Sequence, residues 1–185
     1  RQRQMCIRDR SYNISGTLNL PIGDHWALRV NAGFEDVGGF IDAGGRYEVD
    51  ANGAAVAADP SDLVNSPPIV RRVEDISDTR SQNARIALRF QPNDNLDAVF
   101  TYLYQSDESD GRQIHNPFAG TGEDYVEYHS TAEPYERDVD LTSLEVDVDF
   151  GFATLTSATS YYRNESDQSI DYTDFWAVNV EPYYY

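Results

Sequence analysis

From residue 11 onward, apolar and polar positions alternate in paired runs of about ten residues. In residues 11–20 every even position is apolar or glycine, with Tyr12, Ile14, Gly16, Leu18 and Leu20 set against Ser11, Asn13, Ser15, Thr17 and Asn19. A period of two with one apolar side predicts a β-strand covered on one face. After Pro21-Ile22-Gly23-Asp24, a tight turn, the alternation resumes with Trp26, Leu28, Val30, Ala32 and Phe34 opposite His25, Arg29 and Asn31. Residues 83–90 place Ala84, Ile86, Leu88 and Phe90 on one face and Asn83, Arg85 and Arg89 on the other. Gln91-Pro92-Asn93-Asp94 then has turn chemistry, because proline presets φ and Asn and Asp tolerate left-handed geometry.

Two further runs follow the same rule. Leu96, Ala98, Phe100, Tyr102 and Tyr104 oppose Asp97, Thr101 and Gln105, and Leu144, Val146, Val148 and Phe150 oppose Ser143, Glu145, Asp147 and Asp149. Gly151-Phe152 predicts a two-residue hairpin with glycine at its first central position. It leads into a sixth strand over 153–162, in which Thr154, Thr156, Ser157, Thr159 and Ser160 leave no clean apolar face.

The connections are by turns very short and very long. The long ones, 35–81, 106–140 and 163 to the end, are rich in Gly, Asp, Glu, Pro and Tyr. Loops beyond about fifteen residues are uncommon in compact soluble domains. Tight turns at one end and long loops at the other predict an all-β chain: an antiparallel transmembrane β-barrel segment of about six strands with short periplasmic turns and long extracellular loops. The aromatics fit two interfacial girdles. Trp26, Phe90, Phe150 and Phe152 lie near the short turns, and Tyr12, Phe34, Tyr102, Tyr104, Tyr161 and Tyr162 near the long loops.

Composition changes this picture little. The chain carries 14 Lys+Arg against 32 Asp+Glu, a net charge of −18, and its mean hydropathy is −0.59. No segment approaches the roughly 18 uninterrupted apolar residues of a membrane helix. Period-two strands escape such averaging, since only about half of each faces lipid. The acidic balance argues against nucleic acid as a partner, whose phosphates need clustered Lys and Arg. A single cysteine excludes an internal disulfide framework and multi-cysteine zinc clusters. Residues 1–10 hold that Cys6, the only methionine, Met5, and a local excess of arginine, and they break the pattern. They resemble read-through of sequencing-adapter DNA, so 1–10 is expected to be a non-native tail and 11–185 a partial outer-membrane barrel domain.

The phrases Leu18-Asn19-Leu20-Pro21-Ile22, Trp26-Ala27-Leu28-Arg29, Gly38-Gly39-Phe40-Ile41-Asp42 and Ala87-Leu88-Arg89-Phe90 with Pro92 occur in that order. In this the chain resembles the early barrel strands of TonB-dependent outer-membrane receptors over essentially residues 11–185. The resemblance implies a barrel of about 22 strands, filled by an N-terminal plug, that imports scarce nutrients by coupling to an energised inner-membrane complex. Neither the plug nor the coupling box is in this sequence. Six strands do not close such a barrel, and an open edge in lipid is not viable, so the chain is expected to be a fragment. The expected partners are outer-membrane lipid, the chain's own plug, the TonB complex and a small-molecule ligand, with the cell outer membrane as the location.

Residue-level expectations follow from the pattern. Pairing Phe90 with Leu96 sets Arg89 directly opposite Asp97 as a cross-strand ion pair. Arg29, Arg85, Arg89 and Asp97 would face the lumen and the plug, or simply stand solvated there. Acidic residues gather in the loops, as Asp107, Glu108 and Asp110, then Glu123, Asp124 and Glu127, then Glu133, Glu136 and Asp138. Carboxylates suit calcium, and Asp107, Glu108 and Asp110 are weak calcium candidates, although no EF-hand spacing is present and a solvated acidic loop is the default. His25, His115 and His129 lack helical metal-binding spacing and a paired nucleophile. His25 fits an interfacial or turn role, and no metal ligand set or cofactor is expected. Tyr125, Tyr128 and Tyr135 are candidates to stack on a sugar or catecholate ring, or ordinary loop packing. No Ser/His/Asp triad is recognisable, so the expected function is binding and import of an iron chelate, cobalamin or a glycan rather than catalysis. The alternatives are a passive porin-type barrel, or a soluble secreted β-rich adhesion or glycan-binding domain.

Overall fold

A computed structural model of the protein describes residues 11–114 and 124–172. The expected tail at 1–10, His115 and Glu123 lie outside the described residues. All the regular structure described is β. The strands are β1 (Tyr12–Ile22), β2 (Trp26–Val37), β3 (Asp42–Tyr47), β4 (Val70–Val73), β5 (Thr79–Asn93), β6 (Leu96–Ser109), β7 (Val126–Glu127), β8 (Tyr135–Asp149) and β9 (Thr154–Gln168). No described helix is long and apolar enough to cross a membrane, which says nothing about crossing by strands.

Six strands form one antiparallel sheet in the order β1-β2-β5-β6-β8-β9, a meander with open edges at β1 and β9. These are the six strands the alternation predicts, and their register keeps every apolar set on one face. Leu18, Val30, Ile86, Tyr102 and Thr142 are successive partners across the sheet, as are Leu20, Leu28, Leu88, Phe100 and Leu144. The last four strands of this sheet run longer than expected, and β8, beginning at Tyr135, and β9, ending at Gln168, extend well into segments that read as loop. β9 has an apolar-side row after all, Leu155, Ser157, Thr159 and Tyr161, that continues to Arg163 and Glu165.

Three expectations are corrected. Phe90 pairs with Ala98 rather than Leu96, and Asn93 pairs with Leu96, with an irregularity between. Pro92 has no N–H for the ladder, and the Gln91 N–H turns to the neighbouring hairpin, donating to the His25 carbonyl at 2.8 Å. The turn itself is Asp94-Asn95, where the Asn95 N–H donates to Asn93 Oδ1 at 2.9 Å. The displacement is two residues, so side-chain faces are preserved. Second, Tyr162 pairs with Leu141 and lies on the polar face, leaving Tyr161 alone on the apolar side of that strand. Third, the connection 35–81 is not structureless, since it contains β3 and β4. The Gly151-Phe152 hairpin forms as expected, with Gly151 at φ +80° and the Phe150 N–H donating to the Ala153 carbonyl at 2.9 Å. His25 sits in the first turn, its Nδ1 3.2 Å from the Gln91 carbonyl.

The second sheet, β4-β3-β7, is drawn from the two long connections: β3 runs antiparallel to β4 and parallel to β7. It carries the only apolar cluster buried among the described residues, Ile41, Ala43 and Ile76. Gly39 lets the chain enter this sheet. Its N–H donates to the Asp78 carboxylate, and a Cβ there would lie 2.2 Å from the Asp75 carbonyl oxygen. Gly39→Ala should therefore destabilise the loop sheet by about 1–3 kcal/mol, read as lost amide protection at Phe40, Ile41 and Ile76. Unchanged protection would show that the backbone there yields freely.

The tip of the first connection is tied by short side chains. Asp50 Oδ1 accepts from the Asn52 and Ala54 N–H groups, Asp59 Oδ1 from Ser61, and Asp62 Oδ1 from Asn65. For Asp50 the backbone donors lower the pKa, and for Asp59 and Asp62 the side-chain partners Ser61 and Asn65 do so first. A depressed folded-state pKa supplies stability that is present above the ordinary aspartate range and lost as pH falls through the lower folded value. Amide protection at Asn52, Ala54, Ser61 and Asn65, corrected for intrinsic exchange, should fall below the ordinary aspartate pKa and be unaffected around neutrality. Protection flat across that acid range would contradict these turns.

Candidate functional site

Two features stand out, one on each side of the structure's polarity. The first is the apolar face of the six-stranded sheet. Nothing described packs on it: Ile14 is 68% exposed, Leu18 54% and Leu155 55%. Its two ends are aromatic. At the short-turn end Trp26 and Phe90 are cross-strand partners with ring centroids 4.2 Å apart, and at the long-loop end Tyr12 and Phe34 stack at 5.7 Å. The Tyr102 hydroxyl donates to Asp140 at 2.5 Å and the Tyr104 hydroxyl to Asp138 at 3.2 Å. Both acceptors lie further toward the long loops than the residues directly opposite, Thr142 and Asp140. Both phenol tips thus point away from the apolar band. At this end the same face turns charged, through Asp140 and Arg163 in the row of Tyr104 and through Asp36, Arg80, Glu108 and Glu136 level with Tyr12.

The other face carries Arg29, Arg85, Arg89 and Asp97 together, as expected from the alternation. Arg89 and Asp97 do pair, Nε to Oδ1 at 2.8 Å and Nη2 to Oδ2 at 2.6 Å. They do so diagonally, because the residue directly opposite Arg89 is Val99. Arg29 and Arg85 form no ion pair among the described residues.

The second feature is a knot of buried charge in the loop sheet. Parallel pairing of Ala43 with Glu127 brings β7 beside β3, and the Tyr47 N–H donates to the Ser130 carbonyl at 2.8 Å, carrying the chain past His129 toward Glu133. The Glu127 and Glu133 side chains are 1% and 0% exposed. Glu133 is fully partnered: Arg112 Nε and Nη2 donate to its two oxygens at 2.6 Å each, and the Asp171 N–H adds 2.7 Å. Glu133 in turn holds the Arg112 guanidinium firmly protonated. Glu127 is different. Its oxygens make no hydrogen bond among the described residues, and neither do His129 Nδ1 and Arg46 Nε and Nη2. His129 Nδ1 stands 3.3 Å from Glu127 Oε1 and 3.6 Å from Glu133 Oε2, and Arg46 Nη2 is 3.8 Å from Glu127 Oε1. Burial pushes the Glu127 carboxyl above its usual range, and the facing His129 and Arg46 pull it back in part.

The weak calcium candidates are not brought together. Asp107 and Glu108 are adjacent in β6 and point to opposite faces. Asp107 accepts from Ser81 Oγ at 2.6 Å, Glu108 pairs with Arg80 at 3.4 Å, and the Asp110 N–H donates to the Asp78 carbonyl. Among the tyrosines, Tyr125 meets Phe40 edge-on at 6.0 Å, and the Tyr128 ring packs on Gly44, where a Cβ would come within 2.6 Å of it. Tyr135 opens β8.

What the sequence pattern did not single out is the set Glu127, His129 and Glu133, whose donor atoms all lie within 4.8 Å of one another. A Glu-x-His-x-x-x-Glu spacing was there to be seen, but it matches no helical ligand motif and looked like solvated loop. Comparison with models of protein families, with curated proteins and with solved structures finds no match.

Proposed function

We propose that this chain is part of the wall and outer loops of an outer-membrane β-barrel of the TonB-dependent receptor type, which binds a small nutrient and imports it with energy from the inner membrane. The observation that carries the proposal is the bare apolar face bounded by two aromatic rows. β1 runs from Tyr12 to Ile22, about 34 Å along the strand at about 3.4 Å per residue. Tilted by about 40°, it projects about 26 Å, close to the apolar band of about 25 Å in membrane barrels. Tyrosines whose hydroxyls point out of the band and charged residues at the same end fit an interface between hydrocarbon and headgroups. The polar face, with Arg29 and Arg85 unpaired among the described residues, fits an aqueous lumen. The loop sheet would stand outside, where a ligand arrives.

The membrane half of the proposal is tested with a Trp176→Phe chain, in which Trp26 is the sole tryptophan. Folded into vesicles, its fluorescence should be quenched by brominated acyl chains. A chain that keeps its β signal in buffer without detergent, and whose Trp26 is indifferent to such lipids, belongs to the soluble class instead. The transport half is tested in cells carrying the encoding gene, by uptake of a ferric chelate, cobalamin and an oligosaccharide. Accumulation that a protonophore abolishes supports the receptor. Entry insensitive to it makes the barrel a passive pore.

A further inference from the structure

We propose that Glu127, His129 and Glu133 bind one divalent transition-metal ion of the zinc class, fastening β7 and the lead-in to β8 within the loop sheet. The site stands independently of the membrane assignment.

Three arguments carry it. Buried polar atoms nearly always find partners, and an orphan calls for an explanation such as an ion. Here the atoms without a well-aligned hydrogen bond are both Glu127 oxygens and His129 Nδ1, which face each other at 3.3 Å with the Glu127 side chain 1% exposed. Next, a tetrahedron on bonds of about 2.0–2.1 Å has edges of about 3.3–3.4 Å. The separations of His129 Nδ1 from the two carboxylates, 3.3 Å and 3.6 Å, are already near that edge. The remaining span between the carboxylates, within 4.8 Å, is held open by their mutual repulsion, which a cation removes. Finally, the donor set selects the metal: imidazole with carboxylates suits zinc and its first-row neighbours, whereas calcium and magnesium prefer oxygen alone.

The surroundings are compatible. Arg112 donates to both Glu133 oxygens, yet each carboxylate oxygen keeps a second lone pair, and a ligating carboxylate is commonly oriented by such an outer hydrogen bond. Arg46 stands 3.8 Å from Glu127. Asp171, largely buried and bonded through its N–H to Glu133, adds a third carboxylate against these two guanidiniums.

The test uses the untagged full chain, folded in detergent and stripped with a chelator, titrated with Co²⁺ and then Zn²⁺. One saturable equivalent of Co²⁺ with visible ligand-field absorption is expected, displaced by Zn²⁺ and not by excess Ca²⁺. Glu127→Gln and His129→Asn should each weaken Zn²⁺ binding at least about tenfold, with the β-sheet circular dichroism retained. Absence of saturable binding by the unsubstituted chain overturns the proposal, whatever the variants do. Binding that survives both substitutions overturns it as well, by placing the ion elsewhere.

Discussion

Glu133→Gln, measured in chelator, should strip the loop sheet of protection while leaving the six-stranded sheet intact. The substitution keeps the side chain's size but removes the charge that answers Arg112, which is 26% exposed against a carboxylate with no exposure at all. Removing one partner of a buried ion pair costs about 3–5 kcal/mol. The partial exposure of Arg112 puts the effect near about 3 kcal/mol, since water can recover some of its solvation. Amide exchange at Tyr47, Thr131, Ser169 and Asp171 should accelerate together, because their hydrogen bonds join the Ser130–Pro134 region to its neighbours. A double replacement, Arg112→Met with Glu133→Leu, should recover most of the loss, as apolar substitutes for a buried pair often do. If Glu133→Gln leaves these amides protected, the pair is ornamental and the loop sheet is held by its strands and small apolar cluster alone.

The second large effect separates lipid from water as the partner of the apolar face. Ile86→Arg places a guanidinium in the middle of the band, on the row Leu18, Val30, Ile86 and Tyr102. Near the bilayer midplane this costs about 2–4 kcal/mol, visible in denaturant titrations of the chain folded in vesicles. Asn83→Arg, on the same strand but the opposite face, should be tolerated within about 0.5 kcal/mol. In water the order would reverse: Ile86 is 41% exposed, and a charge there would be neutral or would improve solubility. Equal stability of the two variants in vesicles would remove the face from hydrocarbon.

Much of the large sheet is legible in the amino-acid sequence because period-two alternation is a backbone property, and six strands repeat it. The limits of that legibility are equally physical. Register depends on the turn as well as on the faces, so Pro92 moved Phe90 two residues along its partner without disturbing which side it faces. Parity misled only where the aromatics are doubled: Tyr161 and Tyr162 cannot both belong to one girdle. The loop sheet was invisible because its strands are short, β3 is interrupted by Gly44-Gly45, and they pair across two separate connections. The charge knot was hidden for a related reason. Glu127 and Glu133 look like solvated acids until the fold buries them, in a region where Gly39, Gly44 and Gly111 each admit a neighbour too close for a side chain.

The parallel contact of Asp42 with Val126 joins residues 84 positions apart (126 − 42). Closing so long a loop is entropically unfavourable until β5 and β6 have zipped and brought its ends together. The three-stranded sheet should therefore be the last part to assemble and the first to open. The two long connections also share a single fate. An insertion in either one would be felt by both, so any ligand that grips one of them stiffens the other through a hydrogen-bonded seam rather than through the six-stranded sheet.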